Sequence, residues 1–192
     1  MSPYEAACEA IDRANSEDPR KVAADGRDLP RELVYSRRMV EWVKRLAGAP
    51  SEELLLAARA QHVRRWTQPR ESFPEGRAGY LSWREKLKKF HAETLSVILR
   101  SAGYPDALVA KATTLILRKQ LAGDPEGQVL EDAACLVFLQ DEFAAFARQV
   151  EAEKMVEILR KTWGKMSPRA RETARGLTYG PVEHALLQKA LE

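Results

Sequence analysis

Apolar residues recur at three- and four-residue spacing along almost the whole chain, and no segment alternates apolar with polar residues, so helices are the regular structure this pattern supports. Proline and glycine punctuate the pattern into nine helical stretches: residues 3–15, 31–47, 51–66, 80–102, 105–121, 126 into the 140s, 151–165, a short one from 168, and 181–191. In the second stretch Tyr35, Met39, Trp42 and Leu46 share one line of the helix face. Ser51 is expected to cap the third helix, which would carry His62 and Trp66, and Ser167-Pro168 to start the eighth. The Asp-, Gly- and Pro-rich segment ending at Pro30 and the segment 67–79, with two prolines and two glycines, read as loops.

With 192 residues, 45% of them hydrophobic and 31% charged, the chain is long enough to bury one substantial core, so a single all-α domain of seven to nine helices over residues 1–192 is expected. The longest apolar run, from Ala133 to Leu139, is far shorter than the roughly 20 residues that cross a bilayer. Glu5, Glu9 and Asp12 near the start do not suit a secretory signal, and a cytoplasmic setting is the expectation. Cys8 and Cys135 sit in no CxxC pair and read as packing residues, as do the four tryptophans. Oligomeric state is open.

Charge is not spread evenly. Between Arg59 and His91 nine Lys or Arg face three Glu, a local excess of six in a chain whose total is +3. That segment also holds two of the three histidines, which suggests a site for an anion, most simply a phosphorylated one. The plain alternative is a solvated basic face. A modest total charge and the lack of a helix-turn-helix or RNA-motif signature argue against nucleic acid as the partner.

Helical spacing turns several polar groups inward. His91 shares a line with Leu87, Thr94 and Ile98, Asp132 shares one with Cys135 and Leu139, and His62 borders the stripe of Leu55, Ala58 and Trp66. An inward Asp needs a cation, a protonated partner or several hydrogen-bond donors. Each of these, and Tyr35, can equally be a satisfied core residue.

The motif around Gln61-His62-Val63 resembles the His-Asp helix of the HD-domain superfamily of metal-dependent phosphohydrolases, with Val63 in place of the Asp. Leu130-Glu131-Asp132-Ala133 is similar to that group's late-Asp run, Tyr35 stands where its first His would be, and a further His would fall near Lys119. The resemblance implies an HD-like core over about residues 31–145, with helices 150–192 packed on it. More closely, residues 58–66, 76–84 and 159–163 resemble the domain-of-unknown-function 4202 family.

The resemblance to HD enzymes implies a divalent metal held by His62 and Asp132; His91, if close to them, would complete a three-ligand site suited to zinc, iron, manganese or nickel, and the three would also be the catalytic residues. A nucleotide or other small phosphorylated substrate would then meet Tyr35, Arg64, Arg65, Arg77, Lys89 and Lys119. The alternative is a non-catalytic module that binds the same kind of anion after losing the metal, arginine and lysine supplying the positive charge.

Overall fold

A computed structural model describes residues 1–118 and 123–192, so Lys119 lies outside the described residues. The first helix, α1 (Pro3–Ser16), starts in a capping box: Ser2 Oγ accepts from the Glu5 amide, and Glu5 accepts from the Ser2 amide at 2.7 Å. Ala7 and Ile11 on its inner face are fully buried.

The chain then forms a hairpin, β1 (Lys21–Ala24) and β2 (Arg27–Pro30), where the sequence suggested only a loop. Asp25 and Gly26 both take positive φ, 51° and 72°, the two-residue turn that suits the twist of antiparallel strands. Helix α2 (Arg31–Ala47) follows directly. Its expected stripe is the buried one, with Met39 and Val43 fully enclosed beside Tyr35, Trp42 and Leu46, each burial worth about 1.5 to 3 kcal/mol.

Ser51 caps α3 (Glu52–Ala60) by accepting from the Leu54 amide at 3.1 Å. This helix ends six residues earlier than expected, so His62 lies in a turn and Trp66 in a short 3-10 turn, Arg65–Thr67. A second such turn, Arg70–Ser72, leads into α4 (Gly76–Ser101), the longest helix, which begins four residues before its expected start. Gly103, at φ 87°, turns the chain into α5 (Asp106–Leu117), which packs along α4.

The next expected helix is interrupted. It runs as α6 (Pro125–Val137), widens into a π-helical turn at Phe138–Glu142, and resumes as α7 (Phe143–Ala147). Ten α-helices therefore appear among the described residues where nine stretches were read. The chain closes with α8 (Ala152–Lys165), α9 (Pro168–Arg175) and α10 (Pro181–Leu191). One continuous apolar cluster extends from Ala7 to Ala190, so the C-terminal helices share the core of the rest. The fold is mainly α with one small sheet. No helix among the described residues is long and apolar enough to cross a membrane.

Candidate functional site

The hairpin, α2, the turn after α3, α4, the end of α5, the π-helical turn and α8 surround a cavity of about 750 Å³. Its wall is built from residues far apart in sequence. Seven cations line it: Arg31, Arg38, Arg65, Arg84, Lys88, Arg118 and Lys165; the acidic groups on the same wall are Glu131, Asp141 and Glu142. Tyr35, Tyr80, Trp83, Phe138 and Phe146 supply aromatic surface.

Not all of this charge is free to meet a ligand. Arg31 pairs with Glu142 at 3.0 Å and Arg38 with Glu41 at 3.1 Å, while Arg118 and Lys165 both engage Glu131. Lys88 is held by Glu85 one turn back. Arg65 and Arg84 make no direct ion pair with a carboxylate among the described residues, although the charge of Arg65 is felt by Glu32. The Arg65 guanidinium lies over the Trp83 ring at 5.2 Å, and Arg84 donates to the Tyr80 hydroxyl at 3.1 Å. Arg65 and Arg84 are therefore the cations in the wall without a direct ion pair among the described residues.

His62 stands at the end of a chain of polar contacts. Buried Asp18 accepts two bonds of 3.0 Å from the Arg20 guanidinium and one of 3.2 Å from the Glu32 amide. Arg20 then donates to Glu32 Oε1 at 2.7 Å, and Glu32 Oε2 lies 3.3 Å from His62 Nδ1. Tyr35 stacks on the imidazole, with ring centres 3.9 Å apart and planes 13° from parallel. Arg65 Nη1 is 3.3 Å from both imidazole nitrogens. With the Nδ1 proton directed to Glu32, Nε2 is the nitrogen that accepts from Arg65. Burial, then the charge of Arg65 and Arg84, holds His62 well below its ordinary value, so it is neutral near pH 7. Burial pushes the Glu32 carboxyl upward against the pull of Arg65 and Arg20.

His91 is enclosed more completely, at 3% exposure, and its Nδ1 donates to the Val63 carbonyl at 2.9 Å. Its ring centre is 6.0 Å from that of His62. Burial first, and His62 second, depress its pKa to about 3. The structure thus brings together Tyr35, His62, Arg65 and His91 from the expected set.

The remaining expected residues lie elsewhere. Asp132 does point inward, but toward the junction of α8 and α9: its carboxylate accepts from the Ser167 amide at 2.8 Å, the Ser167 hydroxyl at 2.6 Å and Gln128 Nε2 at 2.9 Å. Hydrogen-bond donors, not a cation, compensate its burial. The expected ligand set of His62, His91 and Asp132 is therefore not assembled, and among the described residues no three His, Cys, Asp or Glu side chains are gathered to hold a metal ion. Arg64 takes a left-handed φ of 52°, and its side chain reaches Glu17 at 3.5 Å. Arg77 and Lys89 are exposed and off the cavity face of α4, whose Trp83, Arg84, Leu87, Lys88 and His91 form that face.

Sequence reading missed Glu32, Arg84, the cations on α2 and α8, and Arg118 just after α5. Glu32 had a local signal, as an acid beside the apolar stripe of α2, where it is 2% exposed, and Arg84 belonged to the basic cluster of residues 59–91. Cys135 lines the cavity, and burial raises its thiol to about 12, which keeps it protonated.

No curated protein and no solved structure matches the chain. A model described as Domain of unknown function (DUF4202) matches residues 5–187, and the chain belongs to that family.

Proposed function

We propose that the protein binds a small phosphorylated compound, a nucleotide or sugar phosphate, in the cavity between the hairpin, α2, α4 and α8. The observation that carries this reading is the pair of guanidinium groups, Arg65 and Arg84, in a partly enclosed wall without a direct ion pair among the described residues. A phosphate dianion would supply the missing charge. The aromatic rings beside them suit the flat or apolar half of such a molecule, and the cavity volume of about 750 Å³ is in the range of small-molecule sites.

The order of the motifs around His62 and Asp132 supports an HD-like origin for this scaffold. Metal-assisted hydrolysis, the activity that such an origin implies, needs about three protein ligands at one point. Here Asp132 is engaged by Ser167 and Gln128, and His62 by Glu32 and Arg65, so the reading rests on binding.

A thermal-shift screen with pyrophosphate, AMP and glucose 6-phosphate tests it. A ligand at a hundredfold excess over its Kd adds about 2.7 kcal/mol, which raises the Tm of a chain this size by roughly 5 to 10 °C. At least one of these compounds is expected to produce such a shift, and Arg65→Gln to remove most of it. If none shifts the transition, or if Arg65→Gln responds like the wild type, the reading fails.

A further inference from the structure

The cavity wall contains an acceptor that an anion cannot satisfy. A carbonyl oxygen only accepts, so the 2.9 Å contact of His91 Nδ1 with Val63 places the imidazole proton on Nδ1 and leaves a lone pair on Nε2. Nε2 is buried and has no partner among the described residues, although the ring lines the cavity. Gln61 Oε1, on the same wall and 7% exposed in its residue, is also buried and unpartnered. Three buried side-chain atoms lack partners among the described residues, and two of them belong to this one wall.

The two histidines therefore differ in what they offer. His62 is occupied by Glu32 and Arg65, whereas the Nε2 lone pair of His91 has no partner among the described residues. With its pKa depressed to about 3, His91 has no Nε2 proton to give a phosphate oxygen near pH 7. A phosphate dianion brings acceptors alone, so whatever meets Nε2 must be a hydroxyl or amino group on another part of the ligand. His91 is close enough for that, since its ring centre lies 6.0 Å from His62, which itself touches Arg65.

Building on the phosphate-binding reading, we infer that the ligand is a phosphate ester whose organic half carries hydroxyl or amino donors, and that His91 Nε2 accepts from one of them. Arg65 and Arg84 take the phosphate, and His91 selects what the phosphate is attached to.

Calorimetric titration with phenyl phosphate, AMP and glucose 6-phosphate at mildly alkaline pH tests this, because phenyl phosphate carries the same charged group with no donor. The wild type is expected to bind AMP or glucose 6-phosphate at least about tenfold more tightly than phenyl phosphate. His91→Phe should erase that preference, and His91→Gln, which restores an acceptor, should recover part of it. Equal affinities in the wild type, or a preference that persists in His91→Phe, would overturn the inference and leave the anion site standing. If no phosphate compound binds, pyrophosphate included, the phosphate-binding reading itself fails and this inference with it. Should His91→Phe not fold, the imidazole 15N resonances of the wild type decide: Nε2 of His91 must move on adding the preferred ester and stay in place with phenyl phosphate, and an unmoved signal overturns the inference.

Discussion

At the scale of single residues, an inward-facing polar group is readable from periodicity, but its partner is not. Asp132, His62 and His91 all point inward as the helical spacing implies, yet Asp132 faces the start of α9 while the histidines face the cavity. The choice depends on Ser167, 35 residues away, whose amide and hydroxyl reach Asp132 at 2.8 and 2.6 Å. Asp132 is a clasp between α6 and α9. Asp132→Ala leaves those donors unpaired and is expected to cost about 3 kcal/mol in urea unfolding. It should leave the affinity for pyrophosphate unchanged, and a large loss of affinity at intact stability would return Asp132 to the binding site. The basic cluster between Arg59 and His91 was equally partial evidence: it contains Arg65 and Arg84, but Arg64, Arg77 and Lys89 lie outside the cavity wall. Density along the chain does not report which side of a turn or helix a cation occupies.

At the scale of elements, capped and proline-bounded helices were legible and tertiary distortions were not. Helices α2 and α10 have the expected bounds, because Pro30, Gly48 and Pro181 mark them locally. Helix α3 carries no such stop. It ends at Ala60 in a structure where His62 contacts Glu32 and Tyr35, and the Val63 carbonyl accepts from His91, contacts that belong to other elements. The hairpin did have a signal in Asp25-Gly26, hidden because its four-residue strands are too short to show alternation. The π-helical turn brings Phe138, Asp141 and Glu142 to the cavity, and no residue type announces it. Entry into α4 depends on Gly79, where a Cβ would lie 1.8 Å from the Pro74 carbonyl oxygen. Backbone must move to admit it. Gly79→Ala is expected to destabilise the protein by about 1 to 3 kcal/mol and to weaken ligand binding, since Tyr80, Trp83 and Arg84 follow it on the cavity wall. A variant with wild-type Tm and affinity would contradict this account of the turn.

At the scale of the whole molecule, the burial of His91 and His62 in the cavity wall sets how stability responds to acid. His91 titrates near 6.5 in the unfolded chain and about 3 in the folded one, so the unfolded state takes up a proton that the native state refuses. Its contribution is whole above 6.5 and is lost toward 3, at about 1.4 kcal/mol per pH unit. His62, shifted in the same direction, adds to the loss. Glu32 acts oppositely: its raised value lets the native state bind a proton first, which offsets part of the decline at the acid end. Unfolding free energy should therefore fall between about pH 7 and pH 5, and His91→Gln should flatten that slope by the equivalent of one proton. A slope unchanged by His91→Gln would show that His91 is not held neutral in the fold.

The central claim, a cavity that binds phosphorylated compounds through Arg65 and Arg84, is tested most directly by calorimetric titration, into the wild type and the Arg65→Gln/Arg84→Gln double variant, of whichever of pyrophosphate, AMP and glucose 6-phosphate shifts the thermal transition most. The account predicts saturable one-to-one binding to the wild type and its loss in a double variant that keeps its thermal transition. Heat traces identical for the two proteins, whether both bind or neither does, would contradict it.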